Sequence, residues 1–405
     1  MAPGVCCVHG GEPDMIKLLK KFGYLPRLAV WELTLKCNLN CRHCGSRAGR
    51  KRADELTTPE ALKLCKDLAE LKCRHLTLSG GEPLLRKDWP LICSTLVDLG
   101  VKTNMVTNGK SWNKDTTKTA LAVGLESAAF SIDGLEETHT YIRREPGHWK
   151  HVWSCIDHCK QMGLTASVIT VVHRKNLHEL DELRQLLIDH GVDRWQVQLA
   201  NPTGNMADHR DLCLEPEDVL VVVPKLAELC AKKSRPKVYP AHNVGYYGEP
   251  EEHLRDTGGA IPFWVGCTAG CSVIGIESNG GIKGCLSLPS AMNGEDRFLE
   301  GNIRDTPLRE IWYRRGAFSY NRDFTTEQLS GYCAECDYAE ICRGGCSWTA
   351  FAYTGSRFEN LYCYWRQLKE KEKREAASRK ESSSNDNQPS TPADSPKRRI
   401  PVVQG

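Results

Sequence analysis

Long apolar runs are missing from this chain of 405 residues, so nothing in it reads as a membrane-spanning helix. A surplus of charge of one sign is missing too. The net charge is +3, too small to point to nucleic acid or a membrane surface as partner. The opening "MAPGVCCVHGGEPDM" has no basic segment followed by an apolar core, so no secretory signal is expected. Internal repeats are also absent. With 40% hydrophobic and 26% charged residues, the remaining class is an ordinary globular protein of two or three domains.

Cysteine is the abundance that stands out, at 20 residues. In a secreted chain this number would read as a disulfide scaffold. Without a secretory signal the expected compartment is the reducing cytoplasm, where clustered thiols more often hold metal.

From residue 28 strand-like and helix-like segments alternate. "RLAVWELTL" reads as a strand, and "TPEALKLCKDLAEL" as an amphipathic helix opened by Thr58 and Pro59. Five more strands follow: "HLTLSG", "VKTNMVTNG", "LESAAFSIDG", "LTASVITVV" and "RWQVQLA". Helices are expected near 88–99, 113–123, 148–162, 176–190 and 215–233, the last kinked or interrupted by Pro224. Six β-then-α units predict an α/β fold with a parallel sheet, two units short of a closed eight-unit barrel. The pattern changes near residue 240. Residues 245–366 are rich in Gly, Cys and aromatics and lack a large apolar core of their own, so metal or disulfide staples are expected there. Residues 1–24 form a lead-in whose "PDMIKLLKKFG" has room for one short helix. Residues 370–405 are polar and dotted with Pro, and are expected to be a disordered tail.

Directly after the first strand stands "CNLNCRHC", with Cys37, Cys41 and Cys44. The spacing i, i+4, i+7 would also suit one helix face packed into a core. Against that, the stretch leaves a strand, Asn38 and Asn40 are poor helix formers, and Gly45 ends it. Zinc would want a fourth ligand, and none is near. Three thiolates on a four-iron cubane leave one iron open for a substrate or cosubstrate, as a catalytic zinc keeps an open position. The end of a barrel strand is also where such barrels do their chemistry.

The C-x3-C-x2-C motif, its place after the first strand and the six-unit partial barrel together resemble the radical S-adenosylmethionine (radical SAM) superfamily. The resemblance implies that the open iron of a [4Fe-4S] cluster binds the amino nitrogen and carboxylate of SAM. The family's residue before the third cysteine packs near adenine, and His43 stands there. "SGGEP", with Gly80, Gly81, Glu82 and Pro83, ends the second strand and resembles the segment that receives the methionine amino group. The copy of "GGEP" at 10–13 follows no strand. "SIDG" ends the fourth strand, with His139 and Arg143 downstream. Ser131, Asp133 and Arg143 resemble the family's ribose and carboxylate contacts. Read alone, Ser-x-Asp-Gly is a turn. Asn108 in "VTNG" and the main chain near Thr170 are weaker candidates.

Eight more cysteines lie in 267–363, around "CAECDYAEICRGGC". By spacing they suit zinc or two four-thiolate clusters. The segment resembles the SPASM domain, on Cys267, "GGIKGC", "GNIRDTPLREIW", the four-cysteine run and Cys363. That resemblance implies two auxiliary [4Fe-4S] clusters with crossed ligation: Cys267, Cys271, Cys285 and Cys346 for the first, Cys333, Cys336, Cys342 and Cys363 for the second. Nine cysteines are left over, including Cys155 and Cys159 on one helix face, and are expected in the core. The basic run "SRAGRKR" (46–52) reads as a solvated loop or as a guide for an acidic electron carrier or peptide.

The family's chemistry implies reductive cleavage of SAM to a 5′-deoxyadenosyl radical that takes a hydrogen atom from a substrate. No Ser-His-Asp or paired-carboxylate apparatus stands out in the sequence. A ribosomally made peptide is the first expected substrate, with side-chain oxidation or crosslinking. A dehydrogenase or epimerase of a small molecule, such as an aminoglycoside or sugar alcohol, is the alternative, and a non-catalytic zinc-binding scaffold the alternative from another class. Leu286 stands where sulfatase maturases, which the chain resembles, carry an acidic residue, and the tail lacks the paired terminal glycines of the molybdenum-cofactor enzyme. A flavodoxin- or ferredoxin-type donor is expected to supply electrons. With so short a lead-in, the peptide is expected to bind at the barrel mouth and second domain or through a separate leader-binding protein.

Overall fold

A computed structural model describes residues 23–255, 263–289 and 296–385. The lead-in before Gly23, with its expected short helix, and everything beyond Asn385 lie outside the described residues.

The parallel sheet grows strand by strand. Strand β1 (Leu28–Glu32) leads to helix α1 (Thr58–Glu70), then β2 (His75–Ser79), α2 (Trp89–Asp98), β3 (Lys102–Thr107), α3 (Lys114–Ala122) and β4 (Ser127–Ser131). Two helices follow, α4 (Glu136–Arg143) and α5 (His148–Gln161). Then come β5 (Thr165–Val172), α6 (Leu180–Asp189), β6 (Arg194–Leu199), α7 (Val219–Ala231) and β7 (Lys237–Pro240). All neighbours from β1 to β7 pair in parallel, each one step along the sheet. The six expected units are present, and α4 and β7 are additions. "KVYP" is too short to carry a period of its own, and only the free edge of β6 makes it a strand.

Alternation sets the core. Leu76 and Leu78 of β2, Ala128 and Phe130 of β4, and Trp195 and Val197 of β6 are fully buried, against inward residues of the helices such as Leu64, Leu68, Ile92 and Ile156. Helix α1 opens with a capping box in which the Thr57 backbone N–H donates to Glu60 Oε2 at 2.7 Å. Helix α7 runs through Pro224 without interruption. The proline stands inside the helix, in its second turn, and the helix continues past it although the bond to the Leu220 carbonyl is missing.

The second region is not separate from this sheet. Strand β8 (Val273–Ile276) pairs in parallel with β1 on its other side, and the antiparallel strands β9 (Gly281–Lys283) and β10 (Gly301–Asn302) extend it. Ile274, Ile276, Ile282, Leu308, Ile311 and Trp312 join the same apolar cluster as the barrel residues. Arg304 clamps Glu60 of α1 at 2.6 and 2.9 Å. The region's apolar residues thus pack on the barrel's edge rather than around a large core of their own.

The last helix spans Tyr364–Asn385, so the boundary expected at residue 370 falls within a helix. Low hydrophobicity suggested disorder, but Lys, Glu, Arg and Ala are strong helix formers. Arg366–Glu370, Lys369–Glu372 and Lys371–Glu375 add pairs at three- and four-residue spacing. Among the described residues no helix is long and apolar enough to cross a membrane.

Candidate active site at the strand ends

The triad loop is fixed by neighbours on three sides. Its two ends meet in a short bridge, with the Cys37 N–H on the Gly49 carbonyl and the Gly49 N–H on the Leu35 carbonyl, both 3.0 Å. Glu55 holds the strand exit, accepting from Thr34 Oγ1 at 2.7 Å and the Leu35 N–H at 3.0 Å. The glycines of "SGGEP" lie against the same exit. The Gly81 N–H donates to the Thr34 carbonyl and the Glu82 N–H to the Lys36 carbonyl, both at 2.8 Å. A side chain at either glycine would collide with backbone: the Thr34 carbonyl at Gly80, which also has φ +145°, and the Leu35 and Lys36 carbonyls at Gly81. These glycines are needed because two backbones touch.

Glu82 is fully buried, and its carboxylate turns inward rather than toward the loop's open side. It accepts from Thr107 Oγ1 and the Asn108 N–H at 2.8 Å, and from the Leu84 N–H at 3.2 Å. Burial raises its pKa to about 7 against these three donors. Pro83 is buried and opens the short turn that Glu82 caps. Asn108 links this network to the triad: its amide lies 2.9 Å from Asn38 Oδ1 and 3.7 Å from Cys37 Sγ.

At the end of β4 the chain buries a charge pair. Asp133 Oδ2 accepts from Arg143 Nε at 2.9 Å and Nη2 at 2.8 Å, with His43 Nε2 at 3.1 Å. Its other oxygen accepts the Val171 N–H at 3.0 Å. Burial alone would raise the Asp133 pKa, but Arg143 and His43 outweigh it and hold the carboxyl well below the usual range. Ser131 closes β4, half-buried. The Thr170 hydroxyl is buried in mid-strand, donating to the Ile132 carbonyl at 2.6 Å and accepting from Trp195 Nε1 at 2.9 Å.

A chain of histidines joins the ends of β4 and β3. The Asp133 N–H donates to His139 Nδ1 at 3.2 Å, His139 Nε2 meets His148 Nδ1 at 2.9 Å, and His148 Nε2 meets the Asn108 carbonyl at 2.8 Å. The backbone donor at one end and the backbone acceptor at the other assign one tautomer to both rings, each protonated on Nε2. Burial, with Arg143 nearby, keeps both neutral: His148 falls to about 4 and His139 well below its ordinary value.

The third side is the loop after β6. The Asn205 N–H donates to the Cys44 carbonyl at 2.8 Å and its side-chain amide to the Cys41 carbonyl at 2.9 Å. From α4, Ile142 accepts the Arg42 N–H at 2.8 Å. The second region reaches the same rim, with Asn201 on Thr349 at 3.1 Å and the Tyr353 hydroxyl on the Ala200 carbonyl at 3.1 Å. Three buried side-chain atoms at this rim have no partner: His43 Nδ1, His173 Nε2 and Asn201 Oδ1. Asn205, His148 and His173 were not singled out in the sequence, where a lone Asn or His carries no spacing signal. Of the basic run 46–52, Arg52 is no free surface charge but binds Glu32 at 3.0 Å, and Arg47 binds Asp208 at 2.6 Å.

The donor set fits iron. Burial raises the thiol pKa of Cys37, and that of Cys41 to about 12 with Arg143 opposing, so thiolates here require a bound cation. The eight thiols of the second region separate in space. Cys333, Cys336, Cys342 and Cys363 line one cavity walled by Tyr246, Tyr247 and Trp365. Cys267 and Cys285 lie close enough to oppose the ionisation of Cys346, and Cys267 does the same to Cys285 and Cys271. Cys346 thus leaves its neighbours in sequence for the first group. Among the described residues every cysteine is a free thiol. The leftover cysteines Cys65, Cys73, Cys93, Cys155, Cys159 and Cys213 are buried in apolar surroundings, Cys230 packs half-buried against the core, and Cys6 and Cys7 lie outside the described residues.

The comparisons with known proteins agree with this geometry. The family model of the radical SAM superfamily matches residues 31–187, and that of the iron-sulfur cluster-binding domain SPASM matches 267–337. The AdoMet-dependent heme synthase of Methanosarcina barkeri is 32% identical over 84% of this chain and 97% of its own length. The PqqA peptide cyclase of Methylocella silvestris is 27% identical over 84% of this chain and 86% of its own. Among solved structures, Streptococcus suis SuiB bound to its precursor peptide SuiA superposes with a TM-score of 0.65 over 85% of this chain and 77% of that one, at 16% identity, a likeness of fold. The chain belongs to the radical SAM superfamily and carries, behind its SAM-binding barrel, the SPASM iron-sulfur domain.

Proposed function

We propose that this radical SAM enzyme is an oxidoreductase acting on side chains of a ribosomally made peptide. Cys37, Cys41 and Cys44 hold the SAM-binding cluster, and the two thiol groups of the second region hold the auxiliary clusters. A [4Fe-4S] cluster held by these three thiolates would supply the electron for reductive cleavage of SAM. The protein's own share is positioning. Gly80 and Gly81 seat the triad loop, and Asp133, Arg143 and His43 form a buried charged corner beside it for the polar parts of SAM. Asn108 is oriented by the histidine chain.

The observation that carries this reading is the shared rim. The segment after β6 bonds to both sides: Asn205 to the triad loop, and Ala200 and Asn201 to Tyr353 and Thr349 of the helix Ser347–Thr354, which Cys346 caps. A substrate there meets the radical source and the first auxiliary thiols together. The peptide cyclase among the relatives supports a peptide. A second reading, an iron porphyrin as substrate, is favoured by the relative at 32% identity, a heme synthase. A flavodoxin- or ferredoxin-type protein would donate the electrons, and a peptide would bind at the barrel mouth and second region or through a separate leader-binding protein.

The test is anaerobic. Reconstituted enzyme should hold about twelve irons, from three four-iron clusters, and form 5′-deoxyadenosine with SAM and dithionite. Turnover is then compared between candidate precursor peptides and iron porphyrins. Hydrogen loss from a peptide side chain by mass spectrometry supports the first reading. Conversion of the porphyrin alone would replace it with the second. Stoichiometric zinc with about four irons would leave the second region structural.

A further inference from the structure

The two thiol groups of the second region stand in different electrostatic surroundings. Beside Cys333, Cys336, Cys342 and Cys363 the nearby guanidinium is Arg366, and its charge is spent. It binds Glu359 at 2.7 Å and Glu370 at 2.8 Å. Asp337 and Glu359 add negative charge to this side.

Around Cys267, Cys271, Cys285 and Cys346 three guanidiniums are buried, with Arg322 6%, Arg343 6% and Arg357 4% exposed. Arg322 Nε donates to the carbonyl of Gly270, next to Cys271, at 2.7 Å, and Nη1 to the Trp312 carbonyl at 2.6 Å. The Arg343 stem lies 3.0 Å from where a side chain on Gly266, next to Cys267, would begin. Arg357 donates to the carbonyls of Arg343, at 2.7 Å, and Tyr320. Phe318 lies against Arg322 and Phe324 against Arg357, 4.5 and 4.8 Å from ring centre to guanidinium carbon. Arg322 and Arg357 therefore spend their hydrogen bonds on neutral carbonyls. No described carboxylate forms an ion pair with either, and Arg322 Nη2 and Arg357 Nε are buried donors without a partner. Buried guanidiniums without an anion are strongly unfavourable. They are tenable when a negative group shares the site: a Cys271 thiolate is within reach of both, a Cys267 thiolate of Arg357, and the Glu300 carboxylate, which bonds the Phe318 N–H, acts on Arg322 from farther off.

We propose that Arg322 and Arg357 are built-in counter-charges to the first thiol group, and that they make the iron–sulfur group held there the more easily reduced of the two in this region. The inference rests on the reading that the eight thiols hold two clusters. Its physical basis is simple: reduction adds a negative charge, and fixed positive charge in a water-poor site stabilises the reduced form.

The test is an anaerobic potentiometric titration of the reconstituted full chain, followed by electron paramagnetic resonance. The first-group signal is assigned as the one that Cys346→Ala removes. Arg322→Gln and Arg357→Gln should shift that signal to lower potential and leave the second-group signal in place. Arg322→Lys and Arg357→Lys, which keep the charge, should stay near the wild type. If a glutamine variant loses iron, a lysine variant that keeps iron and potential supports the counter-charge, and one that also loses iron overturns it. Glutamine variants with full iron and both potentials unmoved, or both moved equally, overturn it as well. Wild-type protein with zinc in place of the auxiliary iron would instead overturn the two-cluster reading itself.

Discussion

The barrel and the cysteine-rich region use the same side chain in opposite ways. In the barrel Cys65, Cys93 and Cys159 are fully buried among Leu, Ile and Val, and burial pushes their thiol pKa values up to about 12, 12 and 11. They are small apolar groups in a close-packed interior. In the second region the thiols face one another, and the surrounding wall is aromatic and glycine-rich. The barrel's sheet is held by alternation and backbone pairing, which need no metal. The second region takes one strand pairing and part of its core from the barrel, and its remaining short elements converge on thiols. A cysteine's meaning therefore follows from its neighbours rather than from how many the chain contains.

That contrast breaks most visibly on paired alanine substitutions. Cys346→Ala should lose about four irons per chain and loosen the second region, because one iron loses its thiolate in a site that, unlike the triad, has no cosubstrate to take the vacant position. Cys93→Ala should keep full iron and cost about 1 kcal/mol, the ordinary range for a buried small side chain. Iron content and thermal unfolding, measured on both, check the pair. Equal iron loss from both variants would erase the distinction.

Gly81→Ala sharpens it within the barrel. The added methyl meets the Leu35 and Lys36 carbonyls, so the triad loop must leave its seat while the auxiliary sites stay remote. The expected result is at least about a tenfold loss of 5′-deoxyadenosine formation with about eight irons retained. Unchanged turnover would show that the loop does not depend on this contact.

The smallest effect belongs to the histidine chain. An unfolded histidine titrates near 6.5, and His148 in the fold near 4. The unfolded chain thus binds the proton first as pH falls. Stability is fully present above about pH 6.5 and is lost progressively down to about pH 4, by about 3 kcal/mol for this one ring. His148→Gln keeps a donor for the Asn108 carbonyl and cannot titrate. Unfolding followed by circular dichroism between pH 4 and 7 should show a flatter pH dependence in the variant. Identical slopes would mean that this ring's titration is not felt by the fold.

Much of this was legible before any coordinates. The period-two strands and the helices between them follow from the sequence because burial and backbone pairing act on every second or every third and fourth residue. The triad and "SGGEP" were legible because iron ligation and backbone contact restrict residue type at close spacing. Beyond the reach of sequence was whatever depends on partners distant along the chain. "KVYP" is a strand because β6 has a free edge, and Val273–Ile276 because β1 has one. Glu82 turns inward because Thr107 and Asn108 wait there. His139 meets His148 only because two helices fold back on each other. Arg322, Arg343 and Arg357 carry no spacing signal in the sequence, and the tertiary structure gathers them around one thiol group. Composition and spacing thus determined the sheet's strands, the glycine seat and the thiol inventory. The fold alone decided which charges, rings and thiols share a water-poor space, because the sequence does not encode distance between residues far apart along the chain.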